Sequence, residues 1–387
     1  MFDLIMLPFS FSNSARLVLS VVCLLAGVVA VSGESLFIDI ERSRIERVIE
    51  MGYRLDPNVE LEIKRLGEEF PDSPVPGLLE AGWLYWMQDY RGFDRELKER
   101  FEERSEAALD KAEAYLKEHR KDPDAQFAVG MAELMQVIYF VDHNRWWPAF
   151  WKSRSSLKIM KRLVAEYPDY HDAKMPLGMA NCYMAKTPGY LKPLKFLMRF
   201  SGDMELGMAY MREARDEGLF TRVDAGYYLA GILYELEGDR QAAHDEFAKL
   251  VERFPSNLKF QSTLAELERG LGKQAAARDR ALLVMSSARV AEFPAIEGET
   301  LTSLLWSSLG SQSFELTIEI SRKAEAFVER YAFLDPEGAW AEYARAEAFL
   351  GLGERGEALA LWGSISEDRN KMAADAARKR IGEVTGG

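Results

Sequence analysis

Four short breaks divide the chain into long apolar-patterned segments: FPDSP (70–74), KDPD (121–124), YPD (167–169) and FPSN (254–257). In each, proline removes an amide donor and fixes φ at a value suited to a first helical turn. The neighbouring Asp, Ser or Asn can cap the helix that begins there. Between the breaks apolar residues recur three and four positions apart, and no run alternates with the period of a strand. The sequence therefore predicts helix after helix, with breaks regular enough to mark repeated units that bury their faces on one another.

The clearest unit runs from Asp224 to Asn257. Tyr227, Ala230, Gly231 and Tyr234 fall on a first helix, Gly238-Asp239 makes a turn, Ala243 and Phe247 fall on a second helix, and Pro255 ends it. Gly231 and Ala243 are small enough to let the two helices approach, with Tyr234 and Phe247 filling the space beside them. The turn recurs at Gly272, 34 residues after Gly238. There Leu264, Ala265 and Ala277 keep the apolar and small positions, and Ala281 stands where the large aromatic would. Ala346, Phe349, Gly353, Ala358 and Trp362 repeat the spacing near the C-terminus. Upstream, FAVGMAEL (127–134) and MPLGMANCY (175–183) carry it at Gly130 and Gly178. These two glycines lie 48 apart, which requires longer helices or insertions.

This pattern resembles the tetratricopeptide repeat: aromatic-x2-Leu-Gly-x2-Tyr, then Ala-x3-Phe, then Pro, with Ala230 in place of the usual Leu. Residues 124–257 are also similar to a group of bacterial exported repeat proteins. These share an LGM-x-x-Y helix, a PGYLKPLKFL-like insertion and a GD-x-x-x-G helix start, and are distantly similar to the eukaryotic inclusion-body-clearance repeat family. The resemblance implies an all-α fold, an α-α superhelix built as a helical-hairpin solenoid. Six or seven hairpins are expected between Ser35 and the end, with a concave surface open to a partner segment. Residues 35–290 are expected to form the main repeat domain and 291–387 the C-terminal repeats. Segment 286–312 breaks the rhythm and reads as a joint, and EDRNKMAADAARKRIGEV (367–384) reads as a capping helix.

The N-terminal residues 1–32 read as a signal peptide or membrane anchor. Arg16 precedes an apolar run from Leu17 to Val31, short for a spanning helix of about 20 residues, and Ala30 and Ser32 are placed like a cleavage site. Cleavage there would leave Cys182 as the sole thiol of the mature chain, which suits export. Location is thus expected in the periplasm, or at the inner membrane facing it. A net charge of −13 argues against nucleic acid as a partner.

One section stands apart. HNRWWPAFWKSR (143–154) holds Trp146, Trp147 and Trp151, and from Arg145 to Arg199 eleven Lys and Arg face three acids, leaving a net −21 for the rest of the chain. Trp147 and Trp151, four apart, share a helix face. The rings either fill an enlarged space between hairpins, or stand on a groove as anchors for a partner peptide, or meet a membrane interface. The charges either pair with acidic helices such as 95–113 or form a site for an acidic partner or anionic lipid surface. Candidate contact residues are Arg145, Trp147, Trp151, Lys152, Lys158, Lys161, Lys192 and Lys195. KTPGYLKPLKFLMRFSGD (186–203) reads as a packed segment or as an amphipathic lipid contact.

No catalytic pattern emerges. The four histidines are scattered outside metal-ligand spacing, and no cofactor is implied. GLGERG (351–356) matches a dinucleotide fingerprint only literally, since a helix precedes it where a strand is needed. The expected function is a non-enzymatic protein-interaction scaffold of the cell envelope. The alternative is a lipid-associated factor acting through 186–203.

Overall fold

In a computed structural model, residues 36–92, 94–187, 200–331, 338–365, 367 and 370–386 are described. They form two compact units, one within Met1–Asp89 and Phe93–Asn257, the other within Tyr90–Gly92 and Leu258–Gly387. The division falls at Asn257/Leu258, not near residue 290. The expected joint at 286–312 is a 3-10 turn, Val290–Glu292, followed by a helix, Pro294–Gly310, with its proline in the first turn.

The first unit opens with a two-residue hairpin, β1 (Leu36–Phe37) and β2 (Ile40–Glu41), whose turn residues Ile38 and Asp39 both take positive φ. The rest is helical: α1 (Arg42–Tyr53), α2 (Val59–Glu69), α3 (Val75–Arg91), α4 (Arg95–Glu118), α5 (Pro123–Asp142), α6 (Trp146–Glu166), α7 (Lys174–Lys186), α8 (Met204–Glu217), α9 (Arg222–Glu235) and α10 (Arg240–Arg253). The second unit adds α11 (Leu258–Gly270), α12 (Gln274–Met285), α13 (Pro294–Gly310), α14 (Phe314–Arg330), α15 (Gly338–Gly351), α16 (Arg355–Ser364) and α17 (Lys371–Thr385). The chain is all-α, as expected. Successive helices pack as hairpins from α3/α4 to α15/α16, with α17 docking Ala373, Ala374 and Ala377 after the last of them. The wide spacing of Gly130 and Gly178 has both expected causes. Helices α5 and α6 run 20 and 21 residues where α9 and α10 run 14 each, and the connection from α6 to α7 carries an added 3-10 turn at His171–Ala173.

One device turns most of these hairpins. A residue with positive φ (Asn144, Gly202, Gly238, Gly272, Gln312, Gly353) immediately precedes the N-cap of the second helix. At four of them the same two amides return to the first helix: Gly272 N–H to Arg269 and Lys273 N–H to Glu268, and likewise Asn144/Arg145, Gln312/Ser313 and Gly353/Glu354. This is the Schellman closure, which satisfies the last carbonyls of a helix and needs a left-handed residue to do so.

Within hairpins, small residues set the spacing at some crossings and not at others. A Cβ on Gly130 would meet Met160 Cε at 2.6 Å, and one on Gly178 would meet the Gly207 carbonyl at 2.9 Å. Ala243, Ala346 and Ala358 are fully buried, and Tyr227 and Phe247 pack at 5.4 Å between ring centroids. Gly231 behaves otherwise. A Cβ there would meet nothing within 4 Å, so its expected role in close helix approach is not observed. Tyr234 is half-buried under Arg240, and Pro255 sits exposed in the turn that ends α10. The second unit is cored by Ala265, Ala281, Leu301, Leu304, Leu305, Ile320 and Phe327, with Ala341 and Ala344.

Candidate functional site

The surface of the first helices is where a stack of hairpins would keep a groove. In the first unit the chain fills it with its own residues. Phe37 lies 4.2 Å from Phe220 and 6.3 Å from Phe127, centroid to centroid. Arg42 pairs with Asp124 at 2.9 and 3.0 Å, and Tyr170 donates to the same carboxylate at 2.8 Å. Tyr53 donates to Asp224 at 2.6 Å, and Trp86 meets Tyr227 edge-on at 5.3 Å. Consequently every residue of α9 from Val223 to Leu233 is buried, on all faces of the helix. The expected open surface over α5 and α9 is absent because residues 37–86 occupy it.

The aromatic section lies elsewhere, on the outside of the α5/α6 hairpin. Asp122 caps α5 by accepting from the Asp124 amide, and Pro123 follows in the first turn. Asn144 reverses the chain and α6 starts at Trp146. Ala149, Ser156, Met160 and Leu163 point inward, and the Ser156 hydroxyl donates to the Gly130 carbonyl at 2.7 Å. The Met160 methyl against Gly130 already closes the gap between the helices, so no space remains for larger rings. The opposite face therefore points out, and Trp146, Trp147 and Trp151 are 53%, 69% and 55% exposed. The reading that these rings fill an inter-hairpin space is overturned. Phe150 holds the outer pair by edge-to-face contacts, 6.2 Å to Trp147 and 5.1 Å to Trp151.

Charge continues the stripe. Trp147, Trp151, Arg154 and Lys158 are spaced four, three and four, which keeps them on one helix face over about 16 Å. Arg154 sits 5.9 Å from the Trp151 ring, Arg145 covers Phe140 at 4.6 Å, and Lys161 lies 4.1 Å from Phe200. Burial pulls the Lys161 ammonium below the usual lysine range. Among the described residues, Arg145, Lys152, Lys158 and Lys161 have no carboxylate within ion-pairing distance. Other basic residues of the section do pair: Lys174 with Glu213, and Lys186 with Glu237 at 3.0 Å. The acidic helix α4 directs its own ion pairs to Glu80, Glu60 and Glu99. Lys192, Lys195 and most of segment 186–203 lie outside the described residues.

Trp146 and Arg154 join this surface although neither figures among the candidate contacts. The spacing that places Arg154 there is legible in the sequence; the exposure of Trp146 is not, because a ring at a helix start reads alike for core and surface. Among the described residues, no cluster of three or more His, Cys, Asp or Glu could hold a metal, and no helix is long and apolar enough to cross a membrane. GLGERG is the turn between α15 and α16, with Gly353 at φ +85°.

No protein-family profile matches this chain, and no curated protein does. Among solved structures, a thermophilic TPR protein of Thermus thermophilus, TTC0263, aligns at 20% identity over 54% of this chain and 96% of its own, with a TM-score of 0.36. The TPR domain of P58(IPK) aligns at 12% identity over 88% of this chain and 98% of its own, with a TM-score of 0.25. Both scores are low, and the fold assignment rests on the hairpins themselves.

Proposed function

We propose that this protein is a non-enzymatic interaction scaffold of the cell envelope, exported to the periplasm or held at the inner membrane facing it, which docks through the outer face of α6. The observation that carries the reading is the exposure of Trp147 and Trp151 beside Lys158 and Lys161, cations that have no carboxylate in ionic reach among the described residues. Exposed aromatics cost solvation that a monomer with no use for them would avoid. The self-filled surface over α5 and α9 moves the docking function from the groove to this outer face. The apolar run Leu17–Val31 supports the envelope location, as does a single cysteine, Cys182, beyond it.

The counterpart is anionic and partly apolar. A photo-crosslinking side chain at position 158, introduced in the native host, is expected to capture a specific adduct. That adduct should fade in Trp147→Ala/Trp151→Ala and weaken as salt is raised. Adducts indifferent to both changes would exclude α6 as the docking face.

A further inference from the structure

We infer that the surface met by α6 is an anionic lipid headgroup layer. This rests on the docking face argued above and assigns its counterpart. A peptide groove holds its anchors in a cleft, whereas Trp146, Trp147 and Trp151 project from the first turns of a helix, each more than half exposed. Tryptophan is enriched at membrane–water interfaces, where the ring sits among headgroups and its indole N–H stays hydrated. Directly along the helix come Arg154, Lys158 and Lys161, in position to meet phosphates when α6 lies flat on the surface. The inward face, Ala149, Ser156, Met160 and Leu163, is committed to α5, so the hairpin presents the stripe as a rigid edge.

Charge selects the orientation. The whole chain carries −13 and is repelled by an anionic layer, while residues 145–166, which span α6 and its N-cap, hold six Lys and Arg against one acid, a net of +5. Approach is favoured only with α6 leading. The rings then bury apolar area, and the cations contribute a term that is screened by salt. An acidic protein could meet the same cations, but it supplies no interface for three adjacent exposed indoles.

The test is flotation of the full chain with vesicles of phosphatidylcholine alone and of phosphatidylcholine mixed with phosphatidylglycerol. The apolar N-terminal run contributes equally to every variant, so the comparison isolates α6. The mixed vesicles are expected to bind more chain, with the preference collapsing at high salt. Trp147→Ala/Trp151→Ala should lower binding more than about tenfold. Lys158→Gln should lower it about fivefold, as expected for one cation near an anionic surface. Lipids with brominated acyl chains should quench tryptophan fluorescence in the wild type, and less so in Trp147→Phe/Trp151→Phe, a pair that keeps aromatic bulk. Equal binding to both vesicles, or variants that bind and quench like the wild type, would overturn the lipid assignment. Capture of an acidic protein through position 158 without vesicle preference would also overturn it, yet leave the docking face standing. Capture of neither would remove both.

Discussion

The hydroxyl of Tyr53 donates to Oδ1 of Asp224 across 2.6 Å, joining residues 171 positions apart inside the first unit. Both side chains are buried, and the Tyr53 carbonyl in turn accepts from the Asn257 side-chain amide at 2.8 Å. This contact ties α1 to α9, so the N-terminal helices are part of the core rather than a strap laid over it. Tyr53→Phe keeps the ring and takes one donor away from a buried carboxylate. The expected loss is about 1–3 kcal/mol in unfolding free energy, read from urea denaturation. An unchanged midpoint would show that the contact contributes nothing to holding the groove shut.

Local chemistry was legible in the sequence and long-range closure was not. Proline and glycine announce the hairpins around Gly238, Gly272 and Gly353, since backbone geometry there follows from residue type. Asn144 and Gln312 take the same left-handed position without a glycine to mark it. The filling of the groove is invisible locally, because nothing near Tyr53 or Trp86 names Asp224 or Tyr227 as its partner. The tryptophans misled for a related reason. Their exposure is decided by Met160 against Gly130, which leaves the rings no interior space.

Gly353 and Gln312 hold the same left-handed turn position, one without a side chain and one with it. Gly353 holds φ at +85° with open space where a Cβ would stand, so Gly353→Ala should cost about 1 kcal/mol from the left-handed backbone. Gln312 already bears that cost at φ +59°, and Gln312→Gly is expected to be neutral or to gain less than about 1 kcal/mol. Gly356, helical in α16 and also in open space, should gain up to about 1 kcal/mol as alanine. Thermal melting of the three variants checks the order, and a stabilised Gly353→Ala would contradict it.

Packing glycines should separate from patterned ones. A Cβ on Gly207 would lie 2.6 Å from Cys182 Sγ and 2.8 Å from the Gly178 carbonyl, and the converse contact on Gly178 is as tight. Either alanine must force α7 and α8 apart, at about 1–3 kcal/mol. Gly231→Ala, at the position where the repeat pattern predicts a close contact, meets nothing and should be neutral or mildly stabilising. Equal losses at positions 178 and 231 in denaturant titrations would contradict this geometry.

Glu133 sets a pH dependence beneath the aromatic face. It is buried in α5, its Oε2 has no hydrogen-bond partner among the described residues, and burial holds its carboxyl above the ordinary range. The hydrogen bond from Ser155 and the charge of Lys152 pull it partly back. With the folded pKa above the unfolded one, the folded state keeps a proton that the unfolded chain releases. The stability that this provides is complete below the usual glutamate range and is lost as pH rises through the folded value. Glu133→Gln should therefore flatten that loss and exceed the wild type at neutral pH, with little difference in acid. Lys152→Ala, which removes the compensating charge, should deepen the loss. Urea midpoints measured between about pH 4 and about pH 8 follow the effect. Parallel curves for the wild type and Glu133→Gln would mean that this carboxyl does not titrate differently on folding.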